Sequence, residues 1–85
     1  MMDKELDTKL AALSHSIWSS WMIWMFTVGS FNNDGTWTMP KNLVERWARQ
    51  MNTDFYDLPR QERNSDYEQA YKIIDVLKED ENEQN

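Results

Sequence analysis

His15, Trp18 and Met22 follow one another at spacings of three and four, so a helix through them sets an imidazole beside an indole on one face. Such a pair can stack a planar base or hydrogen-bond a ribose, as aromatic platforms do. The same spacing also serves packing alone, with His15 bonded to a carbonyl or carboxylate that fixes the helix. Arg46 and Arg49, three apart and flanking Trp47, form a second candidate. Two guanidinium groups so placed can grip a phosphate in forked geometry, or they can pair with Asp54, Asp57 or Glu62 and tie a connector down. Trp47 falls on the apolar face and reads as core. Glu62 and Asp66, four apart, could act as paired carboxylates, but acid–base work also needs a cleft and a perturbed environment. Tyr56 completes the candidate ligand-binding set of His15, Trp18, Arg46, Arg49 and Tyr56.

No catalytic constellation emerges from these residues. There is no glycine-rich phosphate loop, no cysteine nucleophile and no Ser-His-Asp grouping with local support. The chain is therefore read as a non-enzyme, without metal or cofactor. Cysteine is absent and His15 is the only histidine, which excludes thiolate and histidine-rich metal sites as well as disulfides.

Three helices must position these groups. From Leu6 onward apolar residues recur at 6, 10, 13, 17, 21, 24 and 28, in steps of three and four that mark one helical face. Trp18, Met22 and Met25 add a second row, so the helix begins amphipathic and becomes apolar over most of its circumference. Gly29 and Ser30 end it. Asn33-Asp34-Gly35 is a strong turn signal, and Thr36, Trp37 and Thr38 have extended propensity, which predicts a short hairpin or loop. Pro40 suits the start of a second helix, where Leu43, Val44, Trp47 and Met51 share a face. Asn52 to Leu58 reads as a connector with Phe55 and Tyr56 tucked inward. Pro59 can open a turn over Arg60 to Arg63. Ser65-Asp66-Tyr67-Glu68 then reads as a capping box before a last helix striped by Ala70, Ile73, Ile74 and Leu77. The fold class expected is mainly α, a compact three-helix domain with a short hairpin or loop between helices 1 and 2. A single domain is expected over residues 1–78, with 79–85 a disordered acidic tail.

The formal net charge of the 85 residues is -6. Lys41, Arg46, Arg49, Arg60 and Arg63 nearly balance four acids between positions 41 and 63, so the acidity lies elsewhere. Such a chain repels bulk nucleic acid, and a nucleic-acid role is not expected. The apolar run Ile17 to Val28 is twelve residues long and holds Ser19, Ser20 and Thr27. A membrane span needs about 20 predominantly apolar residues, and an interfacial helix needs flanking cations that are missing here. With no signal-like start in Met1-Met2-Asp3-Lys4-Glu5, the expected setting is cytoplasmic.

Three blocks carry a family resemblance. Leu13-Ser14-His15-Ser16-Ile17-Trp18-Ser19-Ser20-Trp21-Met22 resembles the opening of small ryanodine-receptor-repeat (RyR) domains of phages and bacteria, a leucine, then His-x-x-Trp, then tryptophan three residues on. Asn42-Leu43-Val44-Glu45-Arg46-Trp47-Ala48-Arg49-Gln50-Met51-Asn52-Thr53 is similar to that family's Glu-Arg-Trp and Arg-Gln signature. Tyr56-Asp57-Leu58-Pro59-Arg60-Gln61-Glu62-Arg63-Asn64-Ser65-Asp66 is similar to its Tyr-x-x-Leu, glutamate and Ser-Asp run. The match runs in order over about Leu10 to Leu77. Ser14 stands where the family has Glu, Tyr67 where it has Arg, and the loop from Phe31 to Met39 is longer than in the shortest relatives. The resemblance implies a helical, non-catalytic module of phage or prophage origin, in the host cytoplasm if phage-encoded, that recognises or sequesters a nucleotide-derived, ADP-ribose-like molecule. The competing expectation is a protein-interaction module, a homodimer or an inhibitor of a host protein, acting through exposed aromatic surface.

Overall fold

The computed structural model describes the backbone of residues 2–84 and the side chains of residues 5–83. Helix α1 (Met2–Val28) leads into a hairpin of β1 (Ser30–Phe31) and β2 (Trp37–Thr38), then α2 (Lys41–Met51), a 3-10 turn (Phe55–Asp57) and α3 (Arg60–Gln84). These are the three helices and the short hairpin expected of a mainly α chain. No helix among the described residues is long and apolar enough to cross a membrane.

Two long helices form the frame. Lys9 near the start of α1 meets Asp80 at 3.2 Å and also pairs with Glu83 near the end of α3. Toward the other end, Ile17 and Trp21 share a cleft with Glu62 and Ser65. α1 and α3 therefore run side by side in opposite directions. The half-buried Leu6, Leu10, Leu13 and Ile17 all fall on the row read from the sequence.

The hairpin closes on the end of α1. The Asn32 amide donates to Thr36 O and the Gly35 amide to Asn32 O, a turn that holds Gly35 at φ 88°. That left-handed backbone suits glycine, as the Asn-Asp-Gly signal requires. Asp34 accepts from the Thr36 amide and hydroxyl, and Ser30 pairs with Thr38 and Phe31 with Trp37. Trp37 lies over Gly29 and meets Phe26 edge-on, with ring centroids 6.2 Å apart.

Pro40 caps α2 from outside its first turn, its carbonyl accepting from the amides of Leu43 and Val44. Asn52 and Thr53 close α2 by donating to Ala48 O and Arg49 O. In the connector Phe55 is half-buried, whereas Tyr56 points outward with 85% of its surface exposed, contrary to the inward placement expected. Phe55 packs edge-on against both Tyr56 and Tyr67, which leaves the Tyr56 ring outermost.

α3 corrects two expectations. Pro59 O accepts from Glu62 and Arg63, and the helix then continues without a break through Ser65, so Ser65 to Glu68 lies inside α3 and caps nothing. The tail expected to be disordered from residue 79 is helical to Gln84, because Lys9 binds Asp80 and Glu83 across the two helices. Asp80 is 5% exposed, a burial that its cationic partner makes tolerable. Asn85, the last residue of that expected tail, and Met1 lie outside the described residues.

Candidate functional site

Where the three helices meet they leave a cleft of about 400 Å³, inside the range of roughly 300–1,000 Å³ typical of small-molecule sites. α1 contributes Ile17, Ser20, Trp21 and Trp24, and α2 contributes Arg46, Trp47 and Gln50. Leu58 and, from α3, Gln61, Glu62, Ser65, Asp66 and Gln69 complete the lining. The periodicities explain the convergence. Residues 17, 20, 21 and 24 share one face of α1, residues 46, 47 and 50 one face of α2, and residues 62, 65, 66 and 69 one face of α3.

The cleft has aromatic walls and a polar base. Trp21 meets Trp24 edge-on at 5.8 Å between centroids, and Trp24 meets Trp47 at 5.4 Å with planes tilted by 56°. Around them stand the amides of Gln50, Gln61 and Gln69 and the hydroxyls of Ser20 and Ser65.

The charges sort into a pair and two free groups. Arg49 Nη2 donates to Glu62 Oε2 at 2.5 Å. That bond, chiefly, holds the Glu62 carboxyl below the usual carboxylate range, against an opposing push from burial, with Gln50 and the charges of Arg49 and Arg46 assisting. Arg46 and Asp66 form no ion pair among the described residues. The two arginines thus do different work: Arg49 ties α2 to α3, and Arg46 presents an unpaired cation to the cleft. The second oxygen of Glu62, Oε1, is buried without a hydrogen-bond partner among the described residues.

A pH dependence follows. A carboxyl whose folded pKa lies below its unfolded value stabilises the fold fully above the unfolded value, near 4.5 for Glu62, and loses that contribution as pH falls through the folded value. Asp34, lowered by its bonds from Thr36, acts with the same sign. Melting temperature should therefore decline as pH drops below about 4.5, and Glu62→Gln should flatten part of that decline while leaving the Asp34 share. An acid limb identical in wild type and Glu62→Gln would contradict the assignment.

Of the five residues singled out from the sequence, Arg46 alone lines the cleft. His15 and Trp18 stack on one another at 5.9 Å, and His15 Nε2 lies 3.5 Å from Ser19 Oγ. Neither of them lines the cleft. Arg49 stands behind the cleft in its pair with Glu62, and Tyr56 is on the open surface. Trp21, Trp24, Gln50, Gln61, Ser65, Asp66 and Gln69 were not singled out as ligand contacts. Their signal was present in the apolar row of α1 and in the Arg-Gln and Ser-Asp runs, which read equally well as core and cap. Among the described residues no group of three or more His, Cys, Asp or Glu side chains could hold a metal ion.

Comparison with protein-family models, curated proteins and solved structures finds no match for this chain.

Proposed function

We propose that the chain is a non-catalytic binding module whose cleft takes the base and ribose of a nucleotide-derived, ADP-ribose-like ligand. One observation carries the reading: all three blocks that resemble ryanodine-receptor-repeat domains send residues into the same cleft. Trp21 comes from the first, Arg46, Trp47 and Gln50 from the second, and Leu58, Glu62, Ser65 and Asp66 from the third. The chemistry agrees with the site. Indole walls suit a planar heterocycle, amides and hydroxyls suit its polar edges, and a free guanidinium suits one phosphate. Because Tyr67 stands where the family has arginine, Arg46 is the cation that remains for that phosphate. Glu62 and Asp66 beside it disfavour a long polyphosphate, so adenosine monophosphate or ADP-ribose should bind better than ATP. In a phage setting such a module would sequester a host signal in the cytoplasm.

Thermal unfolding with adenosine, adenosine monophosphate, ADP-ribose and ATP tests this directly. Ligand at 100 times its dissociation constant stabilises the folded state by about 2.7 kcal/mol, a shift of several degrees. Arg46→Ala should weaken the phosphate-bearing ligands by roughly 10- to 100-fold, the worth of a charge-assisted hydrogen bond, and leave adenosine little changed. His15→Ala and Tyr56→Ala, which touch surfaces outside the cleft, should bind as wild type. No shift with any of the four compounds at millimolar concentration would remove the proposal.

A further inference from the structure

α3 carries a second apolar seam, touched by Phe55 at Tyr67 and half-buried at Arg63 and Ala70 but exposed at Ile74 and Leu77. Its first face, with Glu62, Asp66 and Gln69 at the cleft and Asp80 and Glu83 at Lys9, is turned to α1. One residue further on, about 100° round the helix, Arg63, Tyr67, Ala70, Ile74, Leu77 and Glu81 follow in strict steps of four and three. That spacing is the repeat of a helix–helix seam. Ile74 and Leu77 keep 42% and 41% of their surface exposed, and Tyr71 beside them keeps 60%.

The whole chain shows the same surplus. A compact monomer of this mass exposes about 5,400 Å², whereas this one, flat at 52 × 36 × 16 Å, exposes 7038 Å². The excess, about 1,600 Å², lies within what an obligate homodimer removes from each subunit.

The distribution of charge names the occupant. The seam is symmetric about position 72, the midpoint of α3, with basic Arg63 at one end and acidic Glu81 at the other. An antiparallel copy of the helix crossing at that point sets Arg63 against Glu81 twice, Tyr67 against Leu77 and Ala70 against Ile74. A parallel copy would set like charges together, which is repulsive. Neither Arg63 nor Glu81 forms an ion pair among the described residues, although Arg63 is half-buried with its Nε inside the chain.

We propose that the chain forms a two-fold homodimer by antiparallel pairing of α3, with Ile74 and Leu77 at its centre and Arg63–Glu81 pairs at both ends. The pairing seam is distinct from the residues lining the cleft, so it stands or falls apart from the ligand reading. Light scattering after size exclusion should give twice the 10.3 kDa chain mass at roughly 100 µM, since interfaces of this size hold at micromolar or tighter. Ile74→Glu should give a monomer. Arg63→Glu and Glu81→Arg should each weaken the dimer roughly tenfold or more, with helical circular dichroism retained. The double reversal, Arg63→Glu with Glu81→Arg, should restore it, which no general loss of stability can imitate. A monomer at every concentration overturns the proposal. So does a dimer indifferent to Ile74→Glu, or one that the double reversal fails to restore.

Discussion

Gly29→Val is expected to lower the melting temperature by roughly 10–20 °C. A Cβ at Gly29 would lie 2.1 Å from ring atoms of Trp37, far inside contact distance, and the obstacle is a rigid indole. The indole Nε1–H is buried with no hydrogen-bond partner among the described residues, so packing seats the ring. Displacing it costs about 1–3 kcal/mol of overpacking. The edge-on contact with Phe26 adds about 0.5–1.5 kcal/mol more. Gly29→Ala gives the sharper diagnosis. At an unhindered site with ordinary backbone angles, replacing glycine by alanine stabilises by about 0.4–1 kcal/mol. Here the sign should reverse, and it should reverse again when Trp37→Ala removes the ring. Thermal unfolding of the four-member cycle reads this out, and a Gly29→Ala protein that melts above wild type would show that Trp37 sits elsewhere.

Leu43→Ala should be comparably damaging, by about 2–4 kcal/mol. Leu43, 9% exposed, is the most deeply buried apolar side chain among the described residues, and it sits in the first turn of the helix that carries Arg46, Trp47 and Gln50. Loosening that turn should release α2 and open the cleft from one side. Stability and ligand binding are expected to fall together, whereas Val44→Ala, at a position 48% exposed, should cost under about 1 kcal/mol. Binding that survives intact in Leu43→Ala would mean that α2 does not shape the site.

The elements were legible because their signals are local. Steps of three and four drew α1, Asn33-Asp34-Gly35 drew the hairpin turn, and Pro40 marked the start of α2. The continuity of α3 was not legible, because Ser65 and Glu68 read the same way at a helix start and in its interior. What decides is whether the preceding turn is already helical, and Pro59 had begun it. The ordered end of α3 escaped for a different reason: the partner of Asp80 and Glu83 is Lys9, more than seventy residues away. The site was half visible. Periodicity places Trp21, Trp24 and Trp47 on inward faces, but it cannot say whether three such faces close on one another or stop short and leave a cleft. It also gave His15 and Trp18 a shared surface without revealing that this surface lies outside the cleft.

The tryptophan arrangement has an optical consequence. Three of the five indoles in the chain, Trp21, Trp24 and Trp47, border a single cavity, and two of them stand 5.4 Å apart with their planes inclined. Transition dipoles at that separation couple, so the folded protein should show a paired positive and negative aromatic band in its far-ultraviolet circular dichroism that vanishes in Trp24→Phe. A planar guest sliding between them would quench their emission and reshape that band. The protein therefore carries an unlabelled optical gauge of its own occupancy.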